Sequence, residues 1–251
     1  KRRLSPAVSL SWRPFSESTL RIRASYKDIF RVPTFTDLYY LRMGNTNLKP
    51  EETSQYNVGV TWSSSCGDWL RHFSISADGY YNTVKDKIVA LPTMYVWKMM
   101  NMGEVDIKGV DVNLSTQFRL PLRMSLLLAS TYSFQYAVDV TDPEAKNYKD
   151  QIPYTPRHSG TVSVTLENPW VNVSYILTAV GDRYALPQNI DRNRIDSYIE
   201  QSISINRDFR FRYFGLRLQG ELLNLANVNY DVIQYYPMPG RSWRLSICLS
   251  Y

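Results

Sequence analysis

The chain is poor in the residues from which most metal and catalytic sites are built. Its 251 residues include only two cysteines and two histidines. A structural zinc site takes four ligands, mostly Cys or His, and no zinc-binding spacing occurs around these residues. A histidine-based catalytic centre would have to use His72 or His158, which are both predicted to be polar residues at strand ends. No phosphate-binding glycine loop or nucleophile elbow occurs either, so we predict no metal site, no cofactor and no enzyme.

The chain also has no long apolar run. No stretch approaches the ~20 consecutive apolar residues of a membrane helix, and none shows a convincing helical period. The formal net charge is +6, but the basic residues are scattered and match no nucleic-acid-binding motif. A helical membrane protein and a nucleic-acid-binding protein are therefore both disfavoured.

The two cysteines have no assigned pairing. Cys66 falls in a predicted turn, and Cys248 lies on the polar side of the last predicted strand. Both should lie near the same end of the strands. A disulfide needs Cα atoms within ~7 Å of each other, which the sequence does not establish. Two free thiols are the favoured interpretation, and a disulfide stays open.

The last ten residues, 242–251, alternate strictly between apolar and polar side chains. The apolar set is Trp243, Leu245, Ile247, Leu249 and Tyr251. Successive side chains of a strand point to opposite faces, so one face of this strand is wholly apolar. An aromatic residue stands at each end of that face, as in a strand with lipid outside and water inside. A soluble sandwich strand has the same alternation, so the rest of the chain must distinguish the two.

The same alternation recurs along the whole chain and predicts about eleven strands. The ten further segments are 8–12, 20–27, 56–62, 73–78, 110–118, 124–136, 162–166, 171–177, 199–205 and 216–222. Their connections alternate between short ones, at 14–18, 63–71, 120–123, 168–170 and 208–213, and long ones, at 31–53, 91–106, 139–157, 186–196 and 227–241. Short turns at one end and long loops at the other are typical of outer-membrane barrels. We predict an all-β, antiparallel transmembrane barrel wall.

The alternation also assigns each side chain to lipid or to the barrel lumen. The predicted lipid-facing residues are Leu10, Trp12, Ile22, Val58, Val60, Ile75, Val112, Leu114, Val173, Leu245 and Ile247. The predicted lumen residues are Arg21, Arg23, Asp111, Asn113, Gln117 and Arg244. A charge on the lipid side at mid-membrane costs ~2–4 kcal/mol, which places the arginines in the lumen.

An odd number of strands leads to an expectation about the extent of the chain. Closed antiparallel barrels in bacteria use an even number of strands, and open edges in hydrocarbon leave unpaired backbone groups. No continuous apolar stretch of a signal peptide follows Lys1-Arg2-Arg3. Residues 1–251 are therefore expected to be a single domain that forms the C-terminal part of a larger barrel.

Five segments, in order, resemble a known family. Residues 26–33 (YKDIFRVP), Leu38-Tyr39 and residues 44–51 (GNTNLKPE) resemble one region of the TonB-dependent outer-membrane receptors. Further similar segments are 101–111 (NMGEVDIKGVD), 152–158 (IPYTPRH), Asn224-Leu225 with Tyr230, and Pro239-Gly240-Arg241 before the terminal aromatic strand. The similarity extends over nearly the whole chain and is nearest to the vitamin B12, haem and siderophore receptors.

The resemblance implies a fold, a location and partners. The family fold is a 22-stranded barrel in the bacterial outer membrane, closed by an N-terminal plug that carries the TonB box. This chain matches the last eleven strands, and the plug and the first strands have no counterpart in it. The implied partners are outer-membrane lipid, the missing N-terminal half, the TonB complex acting through that plug, the barrel-insertion machinery and a small-molecule chelate. By the same resemblance, Trp243, Leu249 and Tyr251 belong to the signal that the insertion machinery reads.

The ligand-binding candidates are aromatic residues of the predicted long loops. They are Tyr39, Tyr95, Trp97, Tyr184, Tyr235 and Tyr236. Large rigid aromatic side chains suit a bulky planar ligand, although some serve as membrane-interface anchors. Haem receptors of this type tend to carry a histidine between the first two boxes, and residues 34–43 contain none. A corrinoid or a ferric siderophore is thus favoured over haem.

The resemblance favours a transport function over two alternatives. The first interpretation is TonB-energised uptake of a scarce bulky nutrient across the outer membrane. The second is a barrel-anchored adhesion or assembly protein. The third, an outer-membrane enzyme, lacks the catalytic constellation that it requires.

Overall fold

The computed structural model describes residues 4–15, 19–93 and 95–250. The elements, in chain order, are β1 (Ala7–Trp12), β2 (Arg21–Arg31), α1 (Phe35–Tyr39), β3 (Glu51–Cys66), β4 (Leu70–Pro92), β5 (Trp97–Leu120), β6 (Met124–Asp139), β7 (His158–Glu167), β8 (Asn172–Val180), β9 (Arg183–Tyr184), a 3-10 turn (Asp191–Asn193), β10 (Arg194–Ile195), β11 (Tyr198–Arg210), β12 (Gly215–Leu223), β13 (Asp231–Ile233), β14 (Tyr236–Pro237) and β15 (Ser242–Ser250). Among the described residues, no helix has the length and apolar character needed to cross a membrane.

Eleven strands form one antiparallel sheet. Their order is β1-β2-β3-β4-β5-β6-β7-β8-β11-β12-β15, so each strand pairs with the next main strand along the chain. The two remaining pairs, β9 with β10 and β13 with β14, are short hairpin-like pairings within connections. Every one of the eleven alternating segments of the sequence corresponds to a strand of the large sheet. The predicted all-β fold is confirmed.

The register brings the apolar positions of all the main strands onto one face. Val60 of β3, for example, lies opposite Ile22 of β2 and Ala77 of β4, and Ala77 in turn lies opposite Val112 of β5. We call this the apolar face and the other the polar face. All residues predicted to face lipid lie on the apolar face, and all residues predicted to face the lumen lie on the polar face, as the pairings show. On β15, Trp243, Leu245, Ile247 and Leu249 are between 63 % and 79 % exposed.

Ion pairs neutralise much of the charge on the polar face. Arg23 contacts Asp78 of β4 at 3.0 Å. Arg31 contacts Asp37 at 3.2 Å and Glu51 at 3.6 Å, while Arg244 pairs with Glu221 across β12 and β15. Two of the four basic residues of β2 therefore have acidic partners, which compensates part of the positive charge of this strand.

One predicted long loop is wrong. Residues 91–106 were expected to be a loop, but β4 and β5 stay paired out to Pro92 and Trp97, so that only four residues separate the two strands. These strands have 23 and 24 residues, whereas ~9–11 suffice to cross a bilayer. The outer part of the hairpin contacts other connections, as where the Met99 amide donates to the Met43 carbonyl at 2.9 Å. Both faces of this outer part of the hairpin contact protein or water. Its sequence therefore lacks the alternation of apolar and polar residues seen in the other strands.

A small hydrophobic core lies on the polar face, beside this extended hairpin. It consists of Val84, Met102, Val105, Ile107, Ala137 and Ile152, and Val105 and Ala137 are fully buried. Ile152 comes from the connection between β6 and β7, and its amide donates to the Ala137 carbonyl at 3.0 Å. That connection thus folds back over the polar face and covers part of the wall.

Both cysteines are free and exposed. Cys66 is the last residue of β3 rather than part of a turn, and Cys248 lies in β15 on the polar face, opposite Arg217. The favoured interpretation of two free thiols is confirmed.

Tyr251 lies outside the described residues, and its role in assembly stays a prediction. We expect Tyr251→Ala to lower the amount of protein inserted into the membrane several-fold, because Tyr251 continues the apolar alternation of β15 and belongs to the expected insertion signal. Ligand affinity per inserted molecule should not change. Quantitative immunoblotting of membrane fractions measures the first quantity, and ligand titration of the same membranes measures the second.

The matched control for that experiment is Ser250→Ala, one residue earlier on the polar side of the alternation. It should insert at the wild-type level. Normal insertion of Tyr251→Ala would refute the assembly role.

Candidate functional site at the long-loop rim

Five connections lie together at one end of the sheet, because alternate connections of an antiparallel sheet share an end. They are residues 32–50, 93–96, 140–157, 181–197 and 224–241. We call this end the long-loop rim. Four of the five are longer than any turn at the opposite end, and the fifth closes the extended hairpin of β4 and β5.

Tyr154 joins three of these connections. Its amide donates to the Tyr184 carbonyl at 2.7 Å, and its ring lies 5.7 Å from the Trp97 ring, centroid to centroid. Burial raises the pKa of the Tyr154 hydroxyl, with a partial offset from the Gln234 backbone and the positive charge of Arg183. The side chain is therefore neutral at physiological pH, and it ties together the hairpin tip and two loops.

Arg183 links its own connection, 181–197, to a further one, 224–241, from a buried position. Arg183 is only 3 % exposed, and one terminal nitrogen of its guanidinium donates to the carbonyls of Asp231 and Val232. The guanidinium also lies over the Tyr198 ring, 5.6 Å from its centroid. Charged donors form stronger hydrogen bonds than neutral ones, so this contact holds the connection after β12 against the connection after β8.

Tyr230 fixes the same loop to the polar face of the wall. Its hydroxyl donates to Glu200 Oε2 at 2.6 Å, and its ring stacks on Tyr198 with centroids 4.0 Å apart. Burial, followed by the hydrogen bond to the Glu200 carboxylate, raises the pKa of the Tyr230 hydroxyl well above its usual value. The phenol stays protonated and remains a donor throughout the physiological range.

The connection between β2 and β3 is organised by α1. A capping box links Thr34 and Asp37 at the start of this helix, and Asp37 also pairs with Arg31. Burial acts to raise the pKa of the Asp37 carboxyl, but the hydrogen bonds from Thr34 and the charge of Arg31 outweigh it, so that the pKa lies below its ordinary value of 3.8. The Asp37 carbonyl accepts from the Asn45 amide at 2.9 Å, which closes the loop.

The lowered pKa of Asp37 makes the order of this loop dependent on pH. A depressed carboxyl pKa contributes stability that is complete above the ordinary value of 3.8 and is lost as the pH falls through the folded-state pKa. We expect the hydrogen-exchange protection factor of the Asn45 amide to fall below pH 3.8 in the wild type. In Asp37→Asn it should be lower at neutral pH and flat across this range. An equal acid-induced loss in both proteins would show that another group is responsible.

A cavity of about 310 Å³ opens beneath Tyr154 on the polar face. Its walls come from the extended hairpin, the β5 and β6 wall and the β6–β7 connection. The lining residues include Lys87, Val89, Ile107, Gln135, Ile152 and Tyr154. The lining mixes apolar side chains, such as Val89 and Ile152, with polar ones, such as Lys87 and Gln135, in nearly equal measure.

The six sequence-predicted aromatic residues occupy different parts of the rim. Trp97, the first residue of β5, and Tyr184 of β9 meet at Tyr154. Tyr235 and Tyr236 lie at the β13–β14 turn and are 80 % and 65 % exposed. Tyr95 stands at the hairpin tip, 90 % exposed. Tyr39 is separate: it lies on α1, and its ring packs against that of Phe35 in a tilted arrangement with centroids 4.8 Å apart.

Sequence reasoning missed the residues that organise the rim. They are Tyr154, Arg183, Tyr198, Glu200 and Tyr230. Tyr154 and Tyr230 had a signal, since both lie in segments already noted for their resemblance, and Tyr154 also lies between Pro153 and Pro156. Arg183 had none, because nothing in the local pattern distinguishes a buried arginine from an exposed one. Among the described residues, no cluster of three or more His, Cys, Asp or Glu side chains is placed to hold a metal ion.

Comparison with known proteins identifies the family. Residues 1–225 match the family model described as TonB dependent receptor-like, beta-barrel. The chain belongs to the TonB-dependent receptor family. The resemblance noted in the sequence is thereby confirmed.

Two curated relatives share this TonB-dependent receptor barrel. The chain is 27 % identical over 236 residues to a vitamin B12 transporter BtuB of Photobacterium profundum, covering 90 % of this chain and 34 % of that protein. It is 24 % identical over 221 residues to a vitamin B12 transporter BtuB of Vibrio vulnificus, covering 85 % and 32 %. The chain thus spans about a third of the length of these relatives.

Solved structures agree on the fold of this TonB-dependent receptor chain. A copper transporter OprC superposes with a TM-score of 0.73 at 17 % identity, covering 98 % of this chain and 38 % of that one. A ferric citrate transporter FecA superposes with a TM-score of 0.72 at 12 % identity, with the same coverage. The ferric preacinetobactin receptor BauA from Acinetobacter baumannii gives 0.70 at 13 % identity, covering 98 % and 36 %. At these identities the likeness establishes the barrel fold alone.

Proposed function

We propose that this chain is part of an outer-membrane receptor that takes up a scarce bulky nutrient, energised through TonB. One observation carries the proposal: a TonB-dependent receptor barrel model matches residues 1–225, nearly the whole eleven-stranded wall. The continuous exposed apolar face fits a wall in the bacterial outer membrane. Both curated relatives carry the name of a vitamin B12 transporter, so a corrinoid is the first ligand to test and a ferric siderophore the second.

In this proposal the long-loop rim makes the first contact with the nutrient. Tyr235 and Tyr236 offer exposed aromatic surface, Trp97 is half-buried against Tyr154, and the cavity beneath Tyr154 offers both apolar and polar contacts. No bond of the ligand is made or broken. The loops and polar face hold the ligand, and the expected N-terminal plug, which would contact TonB, rearranges to let it pass. Lipid, the rest of the barrel and the insertion machinery complete the proposed partners.

The decisive experiment is growth of a receptor-deleted strain that carries the full-length receptor containing this chain. Growth is measured on limiting vitamin B12 and, separately, on limiting chelated iron, with and without TonB. We expect growth on one of these nutrients that depends on TonB. Equal growth without TonB would refute active transport, and no growth on any of them would show that the substrate class is wrong.

A loop substitution tests whether the rim contacts the ligand. Tyr235→Ala in the full-length receptor should weaken ligand binding about tenfold, because a large exposed aromatic side chain contributes ~1.4 kcal/mol or more when it packs against a bulky ligand. Trp97→Ala should act in the same direction. Equilibrium binding to outer-membrane preparations, normalised to the amount of receptor, measures the effect.

Tyr213→Ala is the matched control for Tyr235→Ala. Tyr213 is also 80 % exposed, but it lies in the turn between β11 and β12 at the opposite end of the sheet. Its removal should leave affinity unchanged. If Tyr213→Ala and Tyr235→Ala behaved alike, the long-loop rim would not be the binding surface.

A further inference from the structure

The apolar face carries a groove of about 710 Å³ that extends across the four neighbouring strands β6, β7, β8 and β11. One row of paired residues makes its cross-section: Tyr132 lies opposite Gly160, Gly160 opposite Ala179, and Ala179 opposite Ile199. The row is large, small, small, large, so two ridges three strand spacings apart, about 14 Å, flank a shallow floor. The floor continues downwards over Val162 and Leu177, which lie opposite each other.

The upper end of this groove is polar. His158, the first residue of β7, lines it, and its Nδ1 lies 2.9 Å from the Tyr132 hydroxyl. The His158 ring also contacts Phe134, with centroids 5.2 Å apart. A hydrogen-bonded pair of aromatic side chains thus stands at the point where the apolar wall gives way to the long-loop rim.

Two cations lie beside that point, on the same face. Lys108 Nζ is 5.1 Å and the Arg157 guanidinium 5.2 Å from the centroid of the Tyr136 ring. Both residues are exposed, and in the described part of the chain neither forms an ion pair with a carboxylate. Arg157 Nε donates to Gln151 Oε1 at 2.9 Å, a hydrogen bond that does not use the two terminal nitrogens of the guanidinium. Asp106, the next residue of β5 on this face, accepts from the Thr83 hydroxyl at 3.4 Å instead.

These positions form one continuous surface. Tyr136, Phe134 and Tyr132 are successive residues of β6 on the apolar face. The basic pair therefore lies two positions above His158 along the strand, and the groove begins immediately below it. The two cations lie at the level expected for lipid headgroups, and the apolar groove lies at the level of the acyl chains. A single anionic lipid matches both parts of this surface.

We propose that this groove and its basic rim bind one phosphorylated lipid of the surrounding leaflet. The phosphate lies between Lys108 and Arg157, and an acyl chain lies along Gly160 and Ala179. Both halves of the surface are needed for this ligand, since free phosphate makes no use of the groove and an uncharged lipid makes no use of the cations. The inference rests on the proposed membrane location of the wall, but it does not depend on which nutrient is transported, because the groove lies on the face opposite the long-loop cavity.

Native mass spectrometry of the full-length receptor in mild detergent tests the site. The probes are a phosphorylated glycolipid, the same lipid without its phosphate, and inorganic phosphate. The wild type should retain about one phosphorylated lipid per receptor at this site. The double variant Lys108→Ala/Arg157→Ala should bind it about thirtyfold more weakly, equivalent to about 2 kcal/mol for two basic residues at 1.4 kcal/mol per factor of ten.

Two further variants separate the groove from general charge. Ala179→Phe fills the floor and should weaken lipid binding while leaving the basic rim intact. Lys49→Ala/Lys146→Ala removes two exposed cations from the loops at the same rim and should bind lipid as the wild type does. Growth on the transported nutrient is measured in parallel, so that failure of transport and failure of lipid binding are observed separately.

Three results would overturn the proposal. One is equal lipid retention by the wild type and Lys108→Ala/Arg157→Ala. Another is equal loss of lipid in that variant and in the Lys49→Ala/Lys146→Ala control, which would indicate attraction by net charge alone. The third is equally tight binding of inorganic phosphate or of the dephosphorylated lipid, which would show that the surface does not recognise a phosphorylated lipid as a unit.

Discussion

Replacing Leu114 with arginine should strongly reduce the amount of folded, inserted receptor. Leu114 lies on the apolar face of β5, opposite Ile75 and Ser130, about midway between Lys108 near one interface and Phe118 near the other. An arginine that faces lipid at mid-membrane costs ~2–4 kcal/mol, a large fraction of the stability of a typical domain. The free energy of unfolding in lipid vesicles, from urea titration of the full-length receptor, measures the effect.

The neighbouring residue supplies the control. Ser115 is exposed on the polar face of the same strand, so Ser115→Arg places the same charge in water. Its effect should stay within ~0.5 kcal/mol, as for ordinary surface substitutions. If Ser115→Arg were the more damaging of the two, the assignment of lipid and lumen faces would have to be reversed.

Replacing Gly109 with valine should be the most damaging substitution within the polar face. A Cβ at this position would lie 2.4 Å from the Phe134 carbonyl oxygen and 2.5 Å from the Tyr80 hydroxyl. The carbonyl belongs to the backbone of β6 and cannot move without breaking the sheet register. Overpacking typically costs 1–3 kcal/mol and more where backbone must shift, so we expect about 3 kcal/mol or more by the same urea titration.

Gly220 in β12 is the matched control, because a Cβ there meets nothing within 4 Å. Gly220→Val adds an apolar, β-branched side chain to the apolar face of a strand, which suits both its conformation and lipid. It should be neutral or slightly stabilising. Comparable destabilisation by both substitutions would mean that loss of glycine flexibility, not crowding, controls the effect at position 109.

The strands were predictable because lipid and water impose opposite demands on alternate residues. Along β15 the two environments differ at every step, and the resulting pattern of Trp243, Leu245 and Ile247 is unmistakable. The outer ends of β4 and β5 were not predictable in this way, because residues such as Met99 and Val89 contact other parts of the protein rather than lipid. Alternation therefore reports the membrane-embedded part of a strand rather than its full length.

The site was predicted less completely than the wall. Loop aromatics such as Tyr95 and Tyr235 can be identified from the sequence, because a large apolar side chain in a loop has no obvious structural role. Arg183 and Tyr230 were missed because their importance comes from contacts between distant connections. A buried arginine that binds the carbonyls of Asp231 and Val232 across 48 and 49 residues of sequence leaves no local periodicity.

The contacts among the long connections determine the stage at which the conformational entropy of these connections is lost. Arg183 and Tyr230 hold the connection after β12, and Tyr154 holds the hairpin tip and the connection after β8. Fixing one residue of backbone costs ~1–2 kcal/mol of conformational free energy, and in these connections much of that loss accompanies folding. A ligand that arrives at such a preorganised mouth meets a smaller entropic penalty, so more of its contact energy appears as affinity. For the proposed function this arrangement is an advantage, since a receptor for a scarce nutrient must bind its ligand at low concentration.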